Sequence, residues 1–200
     1  MPRGTVNELK QLGIGRRVQM LRRAKGLSLE DLAQKLNLSK VLLAQIEEDV
    51  VPPTVATLLN ISKILGVSID HFFTDDESSG RIEVTRADSR LSVHQEYLPE
   101  GDRGRLTYNY ESLAYRLAKK KMEPFYVEFG LEPHSGTALS HDGEEFLFVI
   151  EGEIDLEFGE DHIRLGPGDS VYYHAVVPHD IRAIGQGKAK TIIVLYPYAN

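Results

Sequence analysis

The spacing of hydrophobic residues changes once along this 200-residue chain, at a short acidic segment. Between Gly15 and Phe73 the apolar residues recur at the three-to-four-residue spacing of amphipathic helices. Beyond residues 74–80, with the sequence TDDESSG, the pattern changes to the alternation that is typical of half-buried strands. We therefore predict an all-α domain at residues 8–73, a linker at residues 74–80 and an all-β domain at residues 81–200.

Within the N-terminal part, the breaks in the helical pattern fall at residues suited to helix capping. Ser28 can cap a second helix, with Asp31 three residues later in an acidic form of the capping box. Ser39 and Thr54 can cap two further helices, and a short turn at residues 68–73 completes a set of five. The turn between the second and third helices is only about three residues long, which indicates a helix-turn-helix bundle.

This segment resembles the Cro/cI-like (XRE) helix-turn-helix family over roughly 60 residues, and that family binds DNA. The motifs that carry the resemblance are Leu21-Arg22, Gly26 to Ala33, Ser39, Ile46-Glu47 and Thr54 to Ser68. The resemblance implies that the N-terminal part of the third helix enters the major groove of DNA. It also implies that Arg22 and Glu47 form a structural pair between the first and third helices.

The positions that match DNA-contacting residues of the family are Ser39, Lys40, Val41, Ala44 and Gln45. Lys40 can donate to guanine, Gln45 can pair with adenine, and Val41 can contact the methyl group of thymine. Ser39 and Ala44 lie where contacts to the DNA backbone are usual, and Arg17 can neutralise phosphate. The resemblance therefore implies double-stranded operator DNA as a partner.

The distribution of charge bears on this expectation. The whole chain has a net charge of −7, which by itself argues against a nucleic-acid partner. Residues 1–46, however, carry nine basic and three acidic side chains, so the positive charge is concentrated where DNA contact is expected.

One departure from the family pattern follows the Ile-Glu pair, where the chain has Glu48-Asp49 instead of the usual Asn-Gly or Arg-Gly. Two carboxylates at this place would repel an approaching phosphate. Either this loop is turned away from DNA, or the domain has lost DNA affinity and serves as a dimerisation or lid element.

The C-terminal part contains many short strand-like runs separated by Gly, Pro and Asp turns, which predicts a β-sandwich or barrel. From about residue 123 to 196 it resembles the cupin family, which implies a double-stranded β-helix barrel. His141, Glu145 and Gly152 hold the spacing of the first cupin motif, and Gly168-Asp169 with His179 hold that of the second. Leu139 stands where the family has its first histidine.

The resemblance implies a metal site made of His141, Glu145 and His179, a set with the composition of the 2-His-1-carboxylate face. The residue types do not separate Fe, Mn, Ni and Zn. Alternatively, these side chains are polar groups that line the binding pocket of a metal-free sensor. We expect an aromatic pocket wall formed by Tyr108, Tyr110, Tyr126, Phe148 and Tyr172. We interpret Lys119-Lys120-Lys121 as a solvated turn rather than an anion site.

Two function classes remain open. The first is a DNA-binding transcriptional regulator whose cupin domain senses a small-molecule effector. The second is a mononuclear non-haem iron enzyme that retains a helix-turn-helix domain, because residues 144–154 and 177–179 also resemble hydroxypropylphosphonate epoxidase. We favour the regulator and expect a homodimer, since helix-turn-helix readers pair on two half-sites. The absence of cysteine and of a secretory signal is consistent with the cytoplasm, and no membrane partner is expected.

Overall fold

A computed structural model describes residues 13–73, 81–93, 108–117, 120–131 and 138–198. The helices are α1 (Ile14–Ala24), α2 (Leu29–Leu36), α3 (Lys40–Glu47) and α4 (Val55–Leu65), followed by a 3-10 helix at Ile69–Phe72. The strands are β1 (Leu91–Val93), β2 (Tyr108–Ser112), β3 (Glu123–Phe129), β4 (Glu144–Glu151), β5 (Glu153–Phe158), β6 (Asp161–Leu165), β7 (Ser170–His174), β8 (His179–Ile184) and β9 (Ala189–Tyr196).

The chain divides into two compact units. The first, called the helical unit below, comprises Met1–Ile82 with Tyr115–Lys119, and the second, the β unit, comprises Glu83–Ala114 with Lys120–Asn200. Helices followed by strands confirm the predicted fold class. The predicted linker at residues 74–80 lies outside the described residues, so the domain limits stay a prediction. Within the described residues, no helix combines the length and the hydropathy that a membrane span requires.

Side chains at the predicted caps begin three of the four α-helices within the described residues. The hydroxyl of Ser28 accepts a hydrogen bond from the Asp31 backbone N–H at 3.0 Å, and the Asp31 carboxylate accepts one from the Ser28 N–H at 2.9 Å. Ser39 caps α3 and Thr54 caps α4 in the same manner, each through a backbone N–H three residues later. These bonds satisfy donors that have no partner inside the helix, which is why the helices begin at these residues.

A buried ion pair connects α1 to α3. The Arg22 guanidinium donates to both carboxylate oxygens of Glu47, at 2.5 and 2.7 Å, and donates a third bond to the carbonyl of Leu27 at 2.8 Å. Both side chains are buried, so the loss of either partner would leave an uncompensated charge in the core. The predicted structural pair is confirmed.

The Asp49 carboxylate lies at the N-terminus of α1. Its Oδ1 accepts a hydrogen bond from the Gly15 backbone N–H at 2.6 Å, and Asp49 itself has the left-handed backbone angle φ of 54°. A carboxylate is favourable at this end of a helix because the N-terminus carries a partial positive charge. Of the two carboxylates that follow Ile46-Glu47, that of Asp49 is therefore hydrogen-bonded inside the helical unit.

The β unit consists of two antiparallel sheets. Six strands have the order β1-β2-β3-β9-β4-β7, and three have the order β6-β5-β8. Burial alternates along β3, β8 and β9, so one face of each of these strands contributes to the core. The buried apolar residues include Phe125, Val127, Leu147, Val149, Ile154, Leu156, Ile181, Ala183, Ile193 and Leu195. A tight turn at Glu151-Gly152 joins β4 to β5, with φ of 76° at Gly152.

We expect Gly15→Ala to destabilise the helical unit by about 1–3 kcal/mol, the usual cost of overpacking. A Cβ at this position would overlap the carbonyl oxygen of Ile46 and crowd the Asp49 carboxylate. Urea unfolding followed by far-UV circular dichroism measures the loss. The matched control is Gly187→Ala, where nothing lies within 4 Å of the added carbon. Equal stability of the two variants would contradict the close approach of α1 to the end of α3.

Candidate metal centre and nucleic-acid interface

Three predicted metal ligands meet in the β unit. The ligand atoms of His141, Glu145 and His179 all lie within 4.8 Å of one another, and the three residues are buried. Glu145 is the second residue of β4, whereas His179 is the first residue of β8 in the other sheet. Leu139 and His179 exchange two backbone hydrogen bonds of 3.0 Å, which hold the segment before β4 against β8.

The hydrogen bonds of the two imidazoles define which ring nitrogens face the carboxylate. Nδ1 of His141 lies 3.2 Å from the Asp142 carbonyl, and Nδ1 of His179 lies 2.9 Å from the Val177 carbonyl. Because a carbonyl only accepts, each Nδ1 carries the proton. Nε2 of each ring then faces Oε1 of Glu145, at 2.5 Å for His141 and 3.5 Å for His179.

This arrangement has a direct chemical consequence. In a neutral imidazole with the proton on Nδ1, Nε2 is a lone pair, and a lone pair aimed at a carboxylate oxygen is repulsive. The contact becomes favourable when a second proton or a metal cation lies among the three groups. The donor set of two nitrogens and one oxygen, with each Nδ1–H held by a backbone carbonyl, fits a divalent metal ion.

The second oxygen of Glu145 is held by a residue that sequence reasoning missed. The Tyr173 hydroxyl donates to Oε2 of Glu145 at 2.5 Å, and its ring stands edge-on to His179 with centroids 5.1 Å apart. Burial raises the pKa of Tyr173 well above its usual value, and the neighbouring carboxylate raises it further, so the phenol stays a donor. Tyr173 lies directly opposite Glu145 in the β4–β7 pairing, and that register was not predicted.

The electrostatics of the cluster favour charge on its members. Burial by itself would raise the pKa of Glu145, but hydrogen bonds and charge interactions with His141 and His179 lower it to about 2. For His179, burial acts to lower the pKa, but the hydrogen bond and charge interaction with Glu145, together with the Val177 carbonyl and the Asp180 charge, outweigh burial, so the pKa is raised. Glu145 is therefore a carboxylate at neutral pH, and a proton on His179 competes with any metal ion.

The five expected aromatic wall residues do not share one face. Tyr110 is fully buried on the inner face of the sheet, in edge contact with Phe125. Tyr126, Phe148 and Tyr172 occupy the opposite face, where Phe148 is 38% and Tyr172 61% exposed. The side chain of Tyr108 lies outside the described residues. The predicted aromatic wall is therefore not formed by these residues together, because neighbouring strand positions alternate between faces.

The interpretation of Lys119-Lys120-Lys121 as a solvated turn is wrong for Lys120. Its side chain is 7% exposed, and Nζ lies 3.2 Å from the carboxylate of Glu123, which is 3% exposed. Lys121 is exposed as predicted, and Lys119 lies outside the described residues.

The predicted DNA-reading residues lie at the start and along one side of α3. Lys40 and Val41 are exposed, Val41 to 68%, whereas Leu43, Ile46 and Glu47 on the other side are buried. Ala44 and Gln45 are half-buried, and Ser39 caps the helix. An ion pair of 3.1 Å joins Lys40 to Glu30 of α2, but both side chains are more than half exposed, so this pair constrains Lys40 only weakly.

Arg17 lies apart from this group, on α1. Its Nη1 donates to the carbonyl of Phe72 at 3.0 Å, so part of its guanidinium is used to hold the 3-10 helix. Its predicted contact with phosphate stays a prediction.

Similarity to known proteins agrees with both halves of the structure. Residues 18–72 match the helix-turn-helix family model, and residues 127–195 match the cupin domain family model. Over 185 residues the chain is 26% identical to the HTH-type transcriptional regulator PuuR of Escherichia coli (strain K12), which covers 90% of this chain and 93% of the relative.

A solved structure of a transcriptional regulator is also similar to this chain. An HTH_3 family transcriptional regulator from Vibrio cholerae superposes with a TM-score of 0.60 at 25% identity, over 96% of this chain and 99% of the other. Hydroxypropylphosphonic acid epoxidase from S. wedmorenis gives a TM-score of 0.48 at 25% identity, over 92% of this chain and 97% of the other. The chain thus combines a helix-turn-helix domain with a cupin domain, and it is similar over nearly its whole length to HTH-type transcriptional regulators.

Proposed function

We propose that this protein is a transcriptional regulator that binds operator DNA through α3 and senses a small-molecule effector through a metal-containing cupin domain. The observation that carries the proposal is the exposed, Ser39-capped side of α3, whose opposite side is buried in the helical unit. A helix anchored in this way can place Lys40, Val41 and Gln45 in a major groove without disturbing the core.

The position of Asp49 supports DNA binding by this unit. Its carboxylate is bonded to the N-terminus of α1, so its charge is partly neutralised by the helix rather than presented to phosphate. Only Glu48 of the Glu48-Asp49 pair is exposed. This favours the interpretation in which the loop is turned away from DNA over the one in which the domain has lost its DNA affinity.

A homodimer follows from the proposed mode of DNA reading. Helix-turn-helix proteins that read major grooves bind two half-sites about one helical turn apart, which requires two copies related by twofold symmetry. We propose a cytoplasmic homodimer as the DNA-binding species.

We expect Lys40→Ala and Gln45→Ala each to weaken binding to the promoter region of the protein's own gene by about 1–3 kcal/mol, which is about fivefold to 150-fold. Fluorescence anisotropy across a salt series measures the change, and the Lys40 variant should also show a shallower salt dependence. Lys188→Ala, which removes an exposed lysine of the β unit, is the matched control and should bind as the wild type does.

Two results would contradict the DNA-binding proposal. The first is a wild-type protein that binds its own promoter no better than random DNA at any salt concentration. The second is an equal loss in the Lys188 control, which would mean that α3 does not provide the contacts.

The metal part of the proposal rests on the donor set. His141, Glu145 and His179 would hold the ion, and Tyr173 would fix the carboxylate by donating to its other oxygen. A bound divalent ion supplies a positive charge and open positions that an oxygen donor of an effector can occupy. The two Nδ1–H groups, each held by a backbone carbonyl, keep both rings oriented for this purpose.

We expect one divalent ion per chain, with an affinity that rises with pH. Since the pKa of His179 is raised from 6.5, protons occupy this ligand at low pH and leave as pH rises through the raised value, whereas Glu145 stays ionised. Each displaced proton contributes about tenfold in affinity per pH unit. Anaerobic titration calorimetry with Mn(II), Fe(II), Ni(II) and Zn(II) measures both effects.

Variants locate the metal site. His141→Ala and His179→Ala should abolish binding, and His162→Ala, which alters an exposed histidine of β6, should not. Metal binding that survives both ligand variants would place the ion elsewhere, and a lack of binding by the wild type would remove the metal from the proposal.

A second candidate function, a mononuclear non-haem iron enzyme, is favoured by the same two histidines and one carboxylate. Dioxygen consumption by the Fe(II)-loaded protein with hydroxypropylphosphonate distinguishes the two. The regulator predicts no consumption above that of His179→Ala, and substrate-dependent consumption above that level would favour the enzyme.

A further inference from the structure

Strand β4 is apolar on both of its faces. It contains five consecutive apolar residues, Phe146 to Ile150. Leu147 and Val149 are buried in the core, so Phe146, Phe148 and Ile150 lie on the outer face of the six-stranded sheet. An antiparallel strand with one side in water normally alternates apolar and polar residues, whereas a continuous apolar run is typical of a strand that is buried on both faces.

Strand pairing extends this run into a wide surface. Two neighbouring rows of paired residues cross β7, β4, β9 and β3 on the outer face, and neither row contains a charged side chain along these four strands. The first row is Tyr172, Phe146, Val194 and Pro124, and the second row is Ser170, Phe148, Ile192 and Tyr126. We call these two rows, together with Ile150, Tyr196 and Tyr198, the apolar face.

The outer face of the three-stranded sheet has the opposite character. Asp155 of β5 lies between Arg164 of β6 and Arg182 of β8, and Arg182 donates two hydrogen bonds to it at 2.6 and 3.1 Å. The next row on this face consists of Glu157, His162 and Asp180. A charged surface of this kind is typical of a sheet face in water. The apolar face is therefore a property of one side of the β unit.

The size of the apolar face agrees with that of a dimer interface. Six of its side chains are between 37% and 61% exposed, namely Phe146, Phe148, Ile150, Tyr172, Tyr196 and Tyr198. With about 200 Å² for a fully exposed aromatic side chain, they leave on the order of 500 Å² of apolar surface in water. The largest apolar patch of a monomeric protein is about 300–600 Å². A standard interface buries about 800 Å² per partner, and the half-buried Ile192, Val194 and Tyr126 contribute to the remainder.

The charged groups at both ends of the apolar face already have partners. At one end, the Glu144 carboxylate accepts hydrogen bonds from the hydroxyls of Tyr172 and Tyr198. At the other end, two lysines donate to glutamates at 2.6 Å, Lys190 to Glu151 and Lys188 to Glu128. A second molecule can therefore cover the face without leaving an unpaired charge. An apolar centre with a polar rim is the usual composition of a protein–protein interface.

We propose that the apolar face is the surface through which two copies of this chain form the homodimer, each packing this face against the same face of its partner. The occupant is a second copy because reading two operator half-sites requires two chains related by a twofold axis, and such an axis places a surface against itself. Two antiparallel sheets can pack in this way with their side chains interdigitated. The inference rests on the proposed homodimer and assigns its interface.

Dilution of the protein tests the interface directly. The chain contains no cysteine, so Ile150→Cys provides a single thiol on the apolar face. We expect this thiol to react with a maleimide at least about tenfold more slowly in the dimer than after dilution to the monomer, because the partner covers it. Ile184→Cys, on the outer face of the three-stranded sheet, should react at the same rate at both concentrations. Analytical ultracentrifugation establishes the oligomeric state at each concentration.

The decisive variant is Phe148→Lys, which adds a charge to the centre of the face in both copies. We expect the dissociation constant of the dimer to rise by about a hundredfold or more, because two like charges would meet away from water. Phe148→Leu keeps an apolar side chain and should remain a dimer. Ile184→Lys makes a matched change on the other sheet and should dimerise as the wild type does. Urea unfolding followed by far-UV circular dichroism shows whether each variant is folded.

The outcomes separate the interface from the homodimer itself. A wild-type dimer that Phe148→Lys leaves intact, or a thiol at position 150 that reacts equally fast in dimer and monomer, overturns this interface alone. Slow reaction of that thiol at every concentration also overturns it, since another segment of the same chain would then cover the face. A wild-type protein that is monomeric at all concentrations overturns the homodimer and the interface together. All of these measurements are made without DNA, so they do not depend on operator binding.

Discussion

The charge of Glu145 is the constraint on which the functional end of the β unit depends. A buried carboxylate is stable only when hydrogen bonds and positive charge surround it. Here Tyr173 satisfies one oxygen, and His141 and His179 face the other. Because these partners come from β7, from the segment before β4 and from β8, the same network that stabilises the charge also joins the two sheets.

Acidic side chains serve a comparable structural purpose in the helical unit. Glu47 neutralises the buried Arg22, and Asp49 binds the N-terminus of α1. Two of the three acidic residues at positions 47–49 are therefore groups whose charge is compensated inside the fold. Formal charge counted along the sequence consequently exaggerates the repulsion that DNA would meet beyond α3.

Features that depend on local chemistry could be predicted from the sequence. The caps at Ser28, Ser39 and Thr54 involve residues three positions apart, so a sequence pattern contains all the information. The metal cluster could be predicted because the spacing of the two cupin motifs includes its residues, although Glu145 and His179 lie on strands of different sheets. Strand-like runs at residues 125–129, 145–150, 153–158, 170–173 and 191–196 predict β3, β4, β5, β7 and β9 within a few residues. No such run predicts β1, β2, β6 or β8, which are short or rich in polar residues.

Features that depend on register could not be predicted. Tyr126 and Tyr110 both look like pocket residues in the sequence, but pairing with β3 puts Tyr110 opposite the inward Val127 and leaves Tyr126 on the other face. Lys120 stands in a run of three lysines, a pattern typical of solvated turns, and only the pairing of Glu123 with Leu195 reveals its buried partner. Strand pairing thus decides which polar residues become neighbours, and the sequence of a single strand does not reveal with which residues it pairs.

The proposed sensing function also has a thermodynamic requirement that is independent of how the two units are arranged. An effector changes operator affinity only by the factor by which its own affinity differs between the DNA-bound and the free protein. A tenfold regulatory effect corresponds to about 1.4 kcal/mol of coupling, and operator DNA must then change effector affinity by the same tenfold. Since a single charge-assisted hydrogen bond contributes about 1.5–3 kcal/mol, one such contact with the effector, made in one state and absent in the other, is sufficient for regulation.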